Sequence, residues 1–156
     1  MKSFFRIALL TGLFVGTTDI LMAYTNSFIK TGNFAEKMFH YIAGGALGLE
    51  KSMQGGTGVA LLGLFFHYFI AMSFTFFFFW IFPKFKFLVF NKYVVGILYA
   101  VFVNLAMRYL ILPLTALPAG GAFILERAFI DWILLGIVLG IPIVYNTYKF
   151  YGVKKD

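Results

Sequence analysis

The sequence contains no cysteine, only two histidines and few charged residues, and each shortage excludes a kind of chemistry. Without cysteine there can be no disulfide, no thiol nucleophile and no metal bound through sulfur. The two histidines, His40 and His67, are too few for a conventional site built from several histidine ligands. We therefore expect neither a metal ion nor another cofactor.

Charged residues make up 12% of the 156 residues, about half the share found in soluble domains. The net charge of +7 would fit a nucleic-acid-binding protein if the basic residues lined one polar helix face. They lie instead at the ends of apolar runs, as in membrane proteins. The sequence therefore predicts a lipid bilayer, and no nucleic acid, as the partner of the chain.

Apolar residues are abundant and form 62% of the chain. The longest run, VALLGLFFHYFIAMSFTFFFFWIF, has no formal charge in 24 residues, and about 20 apolar residues are enough for a helix to cross a bilayer. Three further runs are comparable. The sequence predicts a single all-α membrane domain over residues 1–156, with four transmembrane helices at about 4–24, 59–82, 93–112 and 123–148.

The first connection, residues 25–58, holds a shorter helical pattern. Met38 and Ile42 recur at helical spacing, and charged residues occupy the other directions. A segment this short and this charged does not span a bilayer. We predict an interfacial amphipathic helix over about 33–47, with these apolar side chains in lipid. His40 lies on the same segment and is expected to be a wet interfacial residue.

Each predicted span carries one ionisable residue near the same depth. Such residues are rare in spans and should face the bundle interior. Here they lie 15–17 residues from the span end on the side of the chain termini. At 1.5 Å per residue this is about 22–26 Å from that surface, in the outer third of the bilayer. The predicted polar layer comprises Asp19, His67, Asn104, Arg108 and Asp131, with Arg127 and Glu126 as further pairing partners.

Three roles fit this layer. The favoured one is structural or partner-binding, with ion pairs that fix the register of the helices. Alternatively, the layer lines a cavity open to the outside that binds or passes a proton, an ion or a small polar solute. Two aspartates, one arginine and one histidine leave a negative charge that a proton could neutralise.

The third role is an intramembrane enzyme in which His67 and an aspartate exchange protons. The sequence lacks H-E-x-x-H, G-x-S-x-G, a P-loop and a dinucleotide glycine pattern. It therefore leans away from an enzyme and identifies no catalytic residue.

Two glycine pairs, Gly12 with Gly16 and Gly136 with Gly140, allow close approach between helices. They could serve contacts within the bundle or between copies, which would make the protein a homo-oligomer. Pro142, just beyond the second pair, is predicted to kink the fourth span.

Orientation follows from the basic residues. With four spans, both termini and the connection at 83–92 share one side, which holds eight of the 13 Lys and Arg residues. Because basic residues are retained in the cytoplasm, both termini are predicted to be cytoplasmic and the polar layer to lie toward the outside.

Three segments carry a resemblance to a known family: GLFVGTTDILMAY, LLGLFFHYFIAMSFTFFFFWIFPKFKF and GILYAVFVNLAMRYLILPLTALP. Together they resemble the small four-span bacterial inner-membrane proteins of the YagU-like type. The most specific part is a histidine within an apolar run, followed by F-P-K-x-K and then a glycine-led span that ends in proline. The resemblance implies four spans and a bacterial inner (plasma) membrane, and it implies no particular activity.

Overall fold

The computed structural model describes residues 3–33, 35, 37–118 and 123–153. Over these ranges the regular structure is entirely helical, and four helical segments are long and apolar enough to cross a membrane. The predicted all-α class and the four long apolar segments are therefore confirmed. The segments are Phe4–Thr31, Thr57–Lys84, Lys92–Leu114 and Leu125–Tyr151.

The helices are α1 (Phe4–Thr31), α2 (Met38–Leu47), α3 (Leu49–Met53), α4 (Thr57–Ile81), α5 (Lys92–Ala106), α6 (Leu125–Leu135) and α7 (Ile141–Tyr151). The first segment is α1, the second and third begin with α4 and α5, and the fourth consists of α6 followed by α7. Short 3₁₀ turns connect α4 to α5, and α2 and α3 lie between the first two segments. A π-helical turn, Met107–Ile111, continues α5, and a second one, Gly136–Gly140, joins α6 to α7.

Helix α1 continues well beyond the predicted end at residue 24. Residues 25–31 contain no glycine or proline, and the hydroxyls of Thr25 and Thr31 donate to carbonyls four residues earlier in the same helix. The helix ends where Gly32 adopts φ 71° and donates its N–H to the Phe28 carbonyl. Glycine takes this left-handed conformation without steric cost, so it is an effective stop signal.

The segment predicted as an interfacial helix over 33–47 is helical only from Met38, and residues 34 and 36 lie outside the described residues. The helix α2 packs against α4: a Cβ atom added to Gly63 would overlap the backbone of Phe39. Ile42, which was predicted to enter lipid, lines a cavity inside the bundle. That prediction was wrong because a glycine on α4 allows close packing of the two helices.

His40, which was predicted to be a wet interfacial residue, is half-buried. Its Nε2 donates to the carbonyl of Gly55 at 3.1 Å, because a carbonyl can only accept. Its Nδ1 is buried and has no hydrogen-bond partner among the described residues. The ring therefore ties α2 to the segment that begins α4.

Each π-helical turn ends two residues before a proline, Pro113 or Pro142. Proline has no N–H and its ring collides with the carbonyl four residues earlier, so the regular α-helical pattern is disturbed. Pro142 cannot donate to the Val138 carbonyl, and the Thr18 hydroxyl on α1 lies 2.9 Å from that oxygen. The predicted kink at Pro142 thus takes the form of a wide turn just before it.

We call the part of the bundle nearer the chain termini the packed half. Phe78 and Phe79 of α4 and Ile143 and Val144 of α7 are completely buried there. The ring of Phe78 lies 4.6 Å from that of Tyr99. This half of the bundle is a dense apolar core.

Polar groups in the packed half are paired with backbone carbonyls. The hydroxyl of Tyr99 donates to the Phe74 carbonyl at 2.6 Å, and that of Tyr151 donates to the Phe79 carbonyl at 2.9 Å. Thr75 bonds to a carbonyl of its own helix. In surroundings without water, such pairing avoids the cost of an unsatisfied polar group.

Candidate functional site

The opposite part of the bundle, which we call the cavity half, contains two neighbouring cavities lined by the predicted polar residues. The inner cavity has a volume of about 180 Å³ and is lined by Asp19 of α1, His67 of α4 and Asn104 of α5. Apolar side chains form the rest of its wall. They are Ile42, Ile70, Ala71, Phe74, Val103, Met107, Leu135 and Leu139.

His67 is held in a defined orientation. Its Nε2 lies 2.9 Å from the Gly16 carbonyl and must donate to it. A neutral His67 is therefore the Nε2–H tautomer, which leaves Nδ1 as an acceptor. The ring also packs edge-on against Tyr68. The inner cavity thus combines a carboxyl group with an imidazole whose Nδ1 can accept a hydrogen bond.

Asn104 forms part of the wall between the two cavities. Its Oδ1 accepts a hydrogen bond of 3.0 Å from the indole Nε1 of Trp132. An indole nitrogen only donates, so this contact fixes which end of the amide is the oxygen. The amide N–H₂ takes no part in this contact and can donate in another direction. Asn104 and Met107 line both cavities, so the two spaces adjoin.

The outer cavity has a volume of about 300 Å³ and a more polar lining than the inner one. It lies between the end of α5 and the start of α6, and Arg108, Arg127 and Asp131 contribute its charged groups. The guanidinium of Arg108 is 5.4 Å from the centre of the Phe123 ring, close enough for a cation–π interaction. The outer cavity therefore has two positive groups and one negative group.

The residues of the predicted layer are divided between these cavities. Asp19 and His67 line the inner cavity, Arg108 and Asp131 line the outer one, and Asn104 lines both. The predicted pairing partners Arg127 and Glu126 are both exposed on the first turns of α6, and Arg127 reaches the outer cavity. Asp131 was expected to face the bundle interior but is itself exposed.

The glycine pairs serve contacts within the chain. A Cβ atom on Gly12 would lie 3.2 Å from the Met72 backbone of α4, and one on Gly140 would overlap the Gly96 carbonyl of α5. The second glycine of the first pair, Gly16, is likewise buried against α4, and the first glycine of the second pair, Gly136, is buried against α5. Because neighbouring helices already cover these glycines, a homo-oligomer would need a different surface.

Several residues of the site were not identified from the sequence. Trp132 orients Asn104, Ile42 of α2 closes the inner cavity, and Thr18 lies against the π-helical turn after α6. The signal for the π-helical turns was the proline that follows each of them. Nowhere in the described ranges do three His, Asp or Glu side chains come together as a metal site would require.

Comparison with known proteins adds no assignment. No protein-family model matches the chain, and no curated protein or solved structure is significantly similar to it.

Proposed function

We propose that this chain is a membrane protein that binds a small polar solute in the two adjoining cavities. The observation that carries the proposal is that ionisable side chains of α1, α4 and α6, together with Arg108 in the π-helical turn that continues α5, line about 180 and 300 Å³ of open space. Charges inside a span are costly and usually mark a binding site or a pathway.

The charges favour a zwitterion as the solute. Asp19 gives the inner cavity a negative group, and His67 adds an acceptor there. Arg108 and Arg127 outnumber Asp131 in the outer cavity. A solute with an ammonium group toward Asp19 and a carboxylate toward the arginines would complement both ends, and the amide N–H₂ of Asn104 lies between them.

The resemblance to the YagU-like proteins supports a bacterial inner membrane as the location, with both termini in the cytoplasm. The distribution of Lys and Arg supports the same orientation. In that arrangement the cavities face the periplasm. Fusions to a reporter that is active only outside the cytoplasm should work at Gly55 or Pro118 and fail after residue 154. The reverse pattern would overturn the orientation.

The proposed binding is tested by the thermal stability of the purified protein in detergent with four probes: glycine, β-alanine, ethanolamine and acetate. A ligand that binds only the folded state raises the melting temperature. We expect at least one zwitterion to raise it more than ethanolamine or acetate at the same concentration. Asp19→Asn and Arg108→Gln should each abolish this rise, and Glu126→Gln, which changes an exposed charge near the outer cavity, should preserve it.

Other results would contradict the proposal in distinct ways. If ethanolamine raised the melting temperature as much as the zwitterions do, the carboxylate group of the solute would contribute nothing to binding. The arginines would then have no role, and a zwitterion would be ruled out as the preferred solute. No rise with any probe, together with a pH-driven proton flux in liposomes that His67→Ala abolishes, would replace the solute by a proton. Neither a rise nor a flux would support the structural role.

A further inference from the structure

A wholly apolar groove lies on the outside of the packed half, between the second half of α4 and the first half of α5. Its volume is about 700 Å³, larger than either polar cavity. The segment that connects the two helices contributes Phe87, Leu88 and Phe90 to one end. Phe87, Phe90 and Leu98 along this groove are 69%, 81% and 63% exposed. A soluble partner or lipid must therefore cover it.

The end of the groove at the connecting segment is basic. Lys84, Lys86 and Lys92 lie in or beside the connecting segment, and residues 82–95 include no acidic residue. The ammonium group of Lys84 is 3.2 Å from the centre of the Trp80 ring, and that of Lys92 is 5.0 Å from the ring of Tyr93. Amphipathic aromatic rings and lysines at the end of a span are typical of the headgroup level of a bilayer.

We infer that this groove binds one acyl chain of an anionic phospholipid whose headgroup is held by Lys84 and Lys86. An apolar groove alone would accept the tail of any lipid. Basic residues at the membrane end of neighbouring helices select anionic headgroups, and Lys84 and Lys86 belong to the same connecting segment that contributes Phe87 to the groove. The inference needs the four helices to be in a membrane, and it does not depend on the solute cavities.

Trp80 provides a direct readout because it is 57% exposed and carries Lys84 over its ring. The chain has two tryptophans, so Trp132→Phe leaves Trp80 as the single tryptophan, which is excited selectively at wavelengths that tyrosine does not absorb. This variant is reconstituted in phosphatidylcholine bilayers that contain increasing fractions of brominated phosphatidylglycerol or brominated phosphatidylcholine. Bromine in a bound acyl chain quenches the Trp80 fluorescence. We expect the relative affinity for phosphatidylglycerol to be at least about three-fold higher.

Matched variants separate the headgroup from the acyl chain. Lys84→Gln with Lys86→Gln should reduce the affinity ratio toward one, and Lys149→Gln, an exposed lysine at the same end of the bundle, should leave it unchanged. Leu98→Phe should also reduce the affinity ratio, because the larger side chain narrows the groove. Leu61→Phe, at a position 60% exposed on α4, is its control.

A ratio of one in the parent variant would overturn the inference. A ratio that survives Leu98→Phe but is lost in the lysine variant would show attraction to the surface without a bound chain, and it would overturn the groove as the site. The unchanged chain supplies a second measurement that avoids the Trp132 substitution. Its melting temperature in detergent should rise with added phosphatidylglycerol and not with phosphatidylcholine, and an equal response to both lipids would contradict the selection.

Discussion

The two halves of this bundle are built from the same four spans, yet they differ in packing. In the packed half, Phe78, Ile143 and Val144 are fully buried, and the tyrosine hydroxyls bond directly to carbonyls. In the cavity half, Asp19, His67 and Asn104 border open space. Uninterrupted helices meet in the packed half. In or beside the cavity half, π-helical turns before Pro113 and Pro142 widen α5 and the α6–α7 span.

Dense apolar packing and cavities lined by polar side chains therefore occupy separate parts of one small helical domain. The packed half is held together by apolar contacts, and the charged side chains of the other half surround the cavities. Substitutions made in matched pairs, one in each half, test this division.

The largest effect on the free energy of unfolding is expected when isoleucine is shortened to alanine, a change that can be made once in each half. Ile143→Ala should lower the free energy of unfolding by about 2–3 kcal/mol, because a fully buried side chain loses its packing contacts. Between membrane helices these packing contacts carry the stability, since lipid provides no hydrophobic driving force for helix association. Ile70→Ala, at the wall of the inner cavity, should cost about 1 kcal/mol or less. The measurement is unfolding in the same detergent for both variants. Equal losses would contradict the division into halves.

The second prediction concerns the closest helix contact. Gly140→Ala should lower the free energy of unfolding by about 1–3 kcal/mol, since the added methyl group overlaps the Gly96 carbonyl and forces α5 away from the π-helical turn. Gly58→Ala is the control, because nothing lies within 4 Å of the added atom. Its effect should be neutral or slightly stabilising. A harmless Gly140→Ala would mean that this crossing is loosely packed.

The sequence predicted the all-α class and the four long apolar segments, but it gave the direction of the polar residues around each helix only in part. Asp19 and His67 lie on uninterrupted helices, and they share the inner cavity. Asp131 was counted back from Tyr148 through Gly136–Gly140 as if the helix were regular. A π-helical turn holds more residues than an α-helical one, so that count no longer gives the direction of the side chain.

Other features depended on contacts between distant segments. Nothing in the pattern of Met38 and Ile42 distinguishes a helix on lipid from one packed on α4, because both present an apolar face. The decision depends on Gly63, which lies on another helix and leaves room for the Phe39 backbone. The hydrogen bond from Trp132 to Asn104 is equally invisible, since it joins residues from two spans.

The third prediction removes a hydrogen bond from the packed half. Tyr99→Phe leaves the Phe74 carbonyl without its donor from α5 and should cost about 1 kcal/mol, within the range measured for hydrogen bonds between membrane helices. Tyr41→Phe, at an exposed position on α2, is the control and should change little. The two melting temperatures are compared under the same conditions. A neutral Tyr99→Phe would show that water reaches this carbonyl and that the packed half is not dry.

The smallest effect is expected for the matching change in the cavity half. Trp132→Phe removes the indole donor of the 3.0 Å bond to Asn104. Because Asn104 borders both cavities, a water molecule can replace the lost donor at little cost. The free energy of unfolding should therefore fall by less than about 0.6 kcal/mol, the average for such bonds in membranes.

Binding should respond more strongly than stability, since Asn104 is then free to rotate its amide and present oxygen where it had presented N–H₂. We expect the zwitterion-induced rise in melting temperature to shrink while the melting temperature without ligand stays almost constant. A stability loss as large as that of Tyr99→Phe would mean that the cavities exclude water, and the contrast between the two halves would then be one of shape and not of solvation.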